Sequence, residues 1–410
     1  MISSPWAVLL CKFSDDNSEP QTRTFYEDLF TRSGAGTQNM VDFFYDASHG
    51  TLDLGSSKVF GWYTLDQKRS DYVGSGANQA GRDALVDWAR AKASAAEVKL
   101  GEFVGVVVCM NVQTELFGGS GRVVCDNLSL QPSLLGQEMG HAYGLDHSRV
   151  DGSTADYKDP WDVMSTASPY EAAHAKYTRI GPFLNAANAD SQGWLEPSRV
   201  WMPSTGFDQT VQLRPLSRRD LPGFLVARLS GYYVEFRVKE GWDAGICEPC
   251  VLIHYFLGGH SYLVPANNGS RALVKGSYFE QGSNSSIYTP WRRIEVVDLD
   301  PAGHVATLRL VDRPTQRPPV EGPVIPIGGV TVGGGGWVWY DGRLHPVPPD
   351  SPLIGLLAQI AAIQGAHYIS NSDMRGGVLR HAYGEVARIA TREQAQIKVY
   401  RSPAPRTDVT

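Results

Sequence analysis

The sequence predicts an α+β fold on three observations. Up to about residue 197, apolar runs of strand length alternate with segments of helical spacing. From Val200 onward the pattern changes to short alternating strands separated by turn residues, as in a β-sandwich. Past residue 313 a proline-rich stretch reads as a linker to a last region with both strand and helix patterns. The 410 residues are too many for one compact core, so two or three domains are expected.

Residues 6–13 form an apolar run of strand length, and 21–31 and 37–47 have helical spacing. Residues 51–63 read as strand. Residues 78–95 read as a longer helix with Ala84, Leu85, Trp88 and Ala89 on one face. The continuously apolar run 103–112 has the character of a strand buried on both sides. Gly118-Gly119-Ser120-Gly121 then breaks the chain, and 122–125 is a candidate sheet edge. Pro132 suits the first turn of a helix that runs through Gln137 and His141. In the second region, 211–214, 224–229, 232–238, 251–256, 294–298 and 305–311 have strand character. In the last, 337–344 reads as a hairpin turning at Asp341-Gly342, and 353–363 and 374–389 carry helical spacing.

Composition bounds the function. A hydrophobic content of 42%, a charged content of 20% and a net charge of −6 describe an ordinary globular chain. No basic stripe with interleaved aromatics argues for nucleic acid, and no apolar run is long enough to span a bilayer. The first ten residues lack a basic leader and a long apolar core, and read better as strand than as a signal peptide. Five cysteines are too few for a disulfide scaffold. Cys109 and Cys125 flank a candidate hairpin and are a possible pair in an oxidising compartment. Cys247 and Cys250 have C-x-x-C spacing without a second such motif, which favours a loop disulfide or free thiols over a metal site.

The most informative stretch is Gln137-Glu138-Met139-Gly140-His141-Ala142-Tyr143-Gly144-Leu145-Asp146-His147. It has the spacing H-E-x-x-H-x-x-G-x-x-H, with glutamine at the first histidine. Helical positions i and i+4 share a face, so Gln137 and His141 can grip one ion. Glu138 stands beside that face as a general base. Gly144 lets the chain leave the helix, and His147 returns as a third ligand. A fourth position stays open, as a catalytic site requires. Counted from His141, His147 rather than Asp146 falls in the ligand place, which leaves Asp146 as a supporting or turn residue. His254, His260, His304, His345, His367 and His381 have no ligand-like spacing and are read as structural or exposed.

Asp162-Val163-Met164-Ser165-Thr166 follows at the distance of a Met-turn, and with the preceding motif resembles the metzincin clan of metallopeptidases. Within the clan, Val8 to Asp15, Phe43 to Leu52, Val59 to Leu65, Gln192 to Leu195, Tyr233 to Arg237, Gly241 to Asp243 and Val251 to His254 are similar to stretches of the gametolysin-like and immune-inhibitor-A-like peptidases. The likeness covers about residues 5–310, and the gametolysin branch includes members with glutamine at the first ligand position. It implies a metzincin-like catalytic domain at 1–197 (a twisted, mostly parallel sheet plus the active-site helix), then a β-sandwich domain at 198–313. A linker at 314–327 and a small C-terminal α/β region at 328–410, with a hairpin and two helices, would follow.

The resemblance implies a metal-dependent endopeptidase. Gln137, His141 and His147 would be the ligands, Glu138 the base and Met164 an apolar floor beneath the ion. Tyr170 and His174 follow closely and are candidates for steadying the oxyanion, with packing or surface roles as the alternative. An amide oxygen is a weaker ligand than imidazole nitrogen, so weaker zinc binding is expected, with Zn2+ as the first choice of metal and Cu2+ as the second. Substrate would lie along the sheet edge near residues 117–124, with 165–170 as a pocket wall. The implied partners are protein or glycoprotein substrates outside the cell, and the oligomeric state is left open. The alternative is a pseudo-protease that binds a peptide or glycan in its cleft without cutting it.

Overall fold

The structure is a computed structural model. It describes residues 1–72, 79–165, 170–204, 206–282, 284 and 290–314, together with strand backbone between 324 and 401. The protein is a mixed α+β molecule with several sheets and few helices. The chain separates into two units, one of residues 1–282 and 291–313, the other of 283–290 and 314–410.

In the first unit, a five-stranded sheet runs in the order Lys58–Thr64, Trp6–Lys12, Gly105–Met110, Arg122–Asp126, Phe117–Gly119. The first four strands are parallel and the last is antiparallel to its neighbour. Alternate residues feed two cores, as the period of a strand dictates. Val8, Leu10, Val107 and Val123 face one cluster; Ala7, Leu9, Val106, Val108 and Val124 face the other. The helix Gln79–Ala95 closes the second face with Leu85, Val86, Ala89 and Ala93. On the first face lie Met40–Ala47, with a capping box at Asn39 and Asp42, and Pro132–Ala142, which places Leu135 and Met139 in that core. Pro132 does sit in the first turn of its helix.

One expectation is corrected. Arg122–Asp126 is not the sheet edge, because it pairs on both sides. Positive φ at Gly119, Ser120 and Gly121 folds the chain back, so the short strand Phe117–Gly119 becomes the edge. Cys109 and Cys125 therefore stand in register on parallel strands, with their free thiols 3.3 Å apart.

Two further sheets share one core. A six-stranded sheet runs Val200–Trp201, Val226–Leu229, Tyr232–Arg237, Cys250–Leu257, His260–Leu263, Arg149–Val150. A four-stranded sheet runs Phe207–Leu213, Val305–Arg313, Trp291–Asp300, Tyr278–Gly282. Ala227, Val234, Phe236, Val251 and Ile253 of the former meet Val211, Leu213, Ile294, Val296, Leu308 and Leu310 of the latter. Packing crosses residue 197 freely. Leu216, Leu225, Val226, Tyr233 and Trp242 join the core beneath the helix Pro132–Ala142, and Arg149–Val150 is a strand of the six-stranded sheet.

The second unit contains an antiparallel meander of Val324–Ile327, Val330–Gly333, Trp337–Tyr340 and Arg343–Pro346, and a pair Ala366–Ser370 with Lys398–Arg401. Trp337–Tyr340 and Arg343–Pro346 pair with Tyr340 opposite Arg343. Val324–Ile327 is strand although it falls inside the stretch expected as linker. The expected helices at 353–363 and 374–389 lie outside the described residues.

Candidate metal centre and its surroundings

The helix Pro132–Ala142 carries Gln137, Glu138 and His141 beneath the edge strand Phe117–Gly119. Gln137 and Glu138 are buried, at 3% and 7% exposure. The edge strand touches the helix so closely at Gly118 that a Cβ there would collide with the Glu138 carbonyl. The helix ends through Gly144 at φ +95°, and Leu145 N–H closes the turn on the Gly140 carbonyl at 3.0 Å. His147 follows in a stretch with neither helix nor strand.

The two histidines meet: His141 Nε2 and His147 Nε2 are 3.0 Å apart, with their rings crossed at 81°. Their tautomers follow from the opposite ring atoms. His141 Nδ1 lies 2.8 Å from the Leu145 carbonyl, which only accepts, so it carries the hydrogen. His147 Nδ1 lies 3.3 Å from the Asp156 carboxylate and donates likewise. In the neutral rings both Nε2 atoms thus turn lone pairs toward one another, with the Tyr157 hydroxyl 2.8 Å from that of His147; a proton or a small cation between them would complete the pair. Bonds of about 2.0–2.1 Å in tetrahedral geometry would set the two nitrogens about 3.3 Å apart, slightly wider than the 3.0 Å seen here, which is also a hydrogen-bond distance. Carbonyl and carboxylate partners on the far nitrogens are the usual support of histidine ligands.

Gln137 lies one turn before His141 on the helix, and its Nε2 donates to Glu138 Oε1 at 3.3 Å. Among the described residues, no group of three or more His, Cys, Asp or Glu side chains gathers as a metal site. Burial raises the Glu138 pKa above the ordinary carboxylate value, against the opposing pull of His141, the Gln137 hydrogen bond, Arg82 and the Gly118 N–H. Arg82 is itself paired with Glu115 and lies over the Phe117 ring at 5.0 Å.

Met164 is fully buried, and a Cβ added at Gly140 would fall 2.6 Å from its sulfur. The thioether thus packs on the helix one residue before His141. Tyr170 packs on Trp161 with ring centroids 5.1 Å apart and is bonded to Cys247. His174 stacks on Tyr177 at 5.3 Å, and its Nδ1 accepts the N–H groups of Lys176 and Tyr177. The stretch between Ser165 and Tyr170, expected as a pocket wall, lies outside the described residues.

Three residues that the motif did not reveal stand around His147. Asp156 holds its Nδ1. Tyr157, at φ +60°, places its hydroxyl 2.8 Å from His147 Nε2. A left-handed conformation is uncommon for a residue with a bulky side chain. His260 donates from Nδ1 to the His147 carbonyl at 2.8 Å. Asp156 and Tyr157 follow His147 by nine and ten positions, outside any helical or strand period, and His260 lies on another sheet. No sequence pattern linked them to the site.

Under the site lies a buried polar cluster. Asp162 accepts from Asn185 and Asn188 at 2.6 and 2.7 Å and bonds Ser148. Burial, followed by the nearby Asp159, pushes its pKa up to about 7. Arg237, fully buried, donates to Asp243, Glu235 and the carbonyls of Trp161 and Phe183. His254 Nε2 meets Asp159 at 2.8 Å.

No family model matches the chain, and no curated protein does. Among solved structures, two crystal forms of wild-type OgpA from Akkermansia muciniphila align with it at 9% identity and a TM-score of 0.28. The alignments cover 74% of this chain and 90% and 91% of that one. Likeness at that level leaves the site to be argued from its own geometry.

Proposed function

We propose that this chain is a metal-dependent endopeptidase of metzincin type. Gln137, His141 and His147 would hold a divalent cation, with Zn2+ first and Cu2+ second. The observation that carries the reading is the pair of imidazole Nε2 atoms facing each other at 3.0 Å, close to the buried Glu138.

A cation bound there would polarise the scissile carbonyl and acidify a water. The chain's own residues would do the rest. Glu138, whose pKa burial raises above the ordinary carboxylate value, takes the proton of the attacking water and passes it to the leaving amine. The Gly118 N–H and the Gln137 amide orient its carboxylate. The open edge of Phe117–Gly119 pairs with an extended peptide, which brings the peptide over Glu138. The Tyr157 hydroxyl is a donor for the carbonyl oxygen as charge develops on it. The same reading puts the substrates among extracellular proteins and glycoproteins.

The test is metal content together with cleavage of a degenerate peptide library, with Glu138→Ala as the control. Expected is one divalent ion per chain in both proteins, with hydrolysis in the wild type reduced by about 10²–10⁴ in the variant. Metal-bound wild type that cuts nothing would favour the binding-only alternative. Equal activity in Glu138→Ala would remove the glutamate from the mechanism.

A further inference from the structure

His147 has no ladder of its own. It lies between the helix Pro132–Ala142 and the strand Arg149–Val150, and side chains fix its main chain instead. Its N–H donates to Asp146 Oδ1 at 2.8 Å. Its carbonyl accepts from His260 Nδ1 at 2.8 Å, while His260 Nε2 faces Asp146 Oδ2 at 3.3 Å. One imidazole thus spans the ligand and the residue before it. His260 begins the strand His260–Leu263 of the six-stranded sheet. The following residues continue the attachment: Ser261 Oγ lies 2.9 Å from Ser148 Oγ, and Tyr262 and Leu263 pair in parallel with Arg149 and Val150.

We infer that His260 is a positioning residue for the third ligand, so that the six-stranded sheet is part of the candidate metal centre rather than an accessory to it. The inference rests on the metallopeptidase reading. Ligand atoms must lie within about 0.2 Å of their bonding positions. The helix fixes His141 through its own main chain. The turn that bears His147 is fixed from outside, by Asp146 and His260 at the main chain and by Asp156 at the ring. Release of the carbonyl frees that turn to rotate and draws Nε2 out of register with His141.

The experiment uses the full chain as wild type, His260→Ala and His260→Asn, stripped of metal and reloaded. Zinc affinity is read by competition with a chromophoric chelator, coordination by the visible spectrum of the Co2+ form, and folding by the thermal midpoint of the metal-free proteins. Expected is a loss of zinc affinity of about 10–100-fold in His260→Ala, the size usual for groups that orient a ligand. Its cobalt spectrum should be altered and its metal-free midpoint close to that of the wild type. His260→Asn, which keeps an N–H for the His147 carbonyl, should recover most of the affinity.

Wild-type affinity and spectrum in His260→Ala would overturn the inference. So would an affinity loss in both variants that merely tracks a lowered midpoint. Should His260→Ala not fold, His260→Phe, which fills the space without donating a hydrogen, takes its place with the same outcomes. A wild-type chain that binds neither ion at one per chain overturns the metallopeptidase reading itself, and is told apart because the defect then precedes any substitution.

Discussion

Two polar regions lie close together in the first unit and resolve their burial in opposite ways. Around Arg237 every guanidinium nitrogen donates, to two carboxylates and two carbonyls, so charge and hydrogen bonds close on themselves. At His141 and His147 the far nitrogens are satisfied by a carbonyl and a carboxylate, while the near ones face each other with the Tyr157 hydroxyl beside them. Folding tolerates the first arrangement because it is complete. On the metallopeptidase reading, the second is completed by a cation.

Cutting each region separately should break that contrast in different observables. Arg237→Met strands the carboxylates of Asp243 and Glu235 and should destabilise the chain by about 3–5 kcal/mol, measured by chemical denaturation. A loss under ~1 kcal/mol would mean that the network is not the scaffold described. Tyr157→Phe removes one donor next to His147, and should lower kcat by about 10²–10³ while KM and zinc affinity stay nearly constant. A change confined to KM would remove the hydroxyl from transition-state stabilisation. Gln137→His replaces amide oxygen by imidazole and should tighten zinc roughly tenfold, an effect of ~1.4 kcal/mol, read with a competing chelator. Weaker binding would show that the helix presents no space for a third ring.

The smallest expected effect is pH-dependent. Asp162 has its pKa raised to about 7, so the folded chain keeps a proton that the unfolded chain has lost, and stability falls as pH rises toward 7. His254 is also raised, mainly by Glu235 and Asp159 against the cost of its burial, and its contribution is lost as pH rises through its folded value. His49 works the other way, but only below pH 6.5, because burial lowers its pKa to about 3. Between about pH 6.5 and 7 the net slope is therefore negative, at up to ~1.4 kcal/mol per pH unit for each proton. Thermal midpoints across that window should fall, and less steeply in Asp162→Asn. A flat wild-type profile would show that the cluster does not titrate there.

Much of the frame was legible in local sequence. The apolar runs at 6–13 and 103–112 became the strands Trp6–Lys12 and Gly105–Met110, and the helix expected at 78–95 became Gln79–Ala95. Period and burial set such elements, and both are written along the chain. The edge of the sheet was not legible. Residues 122–125 have the same apolar character whether they lie inside or outside, and only the fold-back at Gly119 to Gly121 decides. At the site, Gln137, Glu138 and His141 are helix neighbours, so their spacing alone predicts a shared region. Tyr157 and His260 carry no such spacing.

By itself, the sequence determined the central strands of the five-stranded sheet and the one helix that carries an amide, a carboxylate and an imidazole, because period and burial are local and helical geometry fixes positions four residues apart. Tertiary structure alone decided what faces His147. Its partners Asp156, Tyr157 and His260 come from a loop and a distant strand. Contacts across 113 residues depend on how sheets stack rather than on any local period.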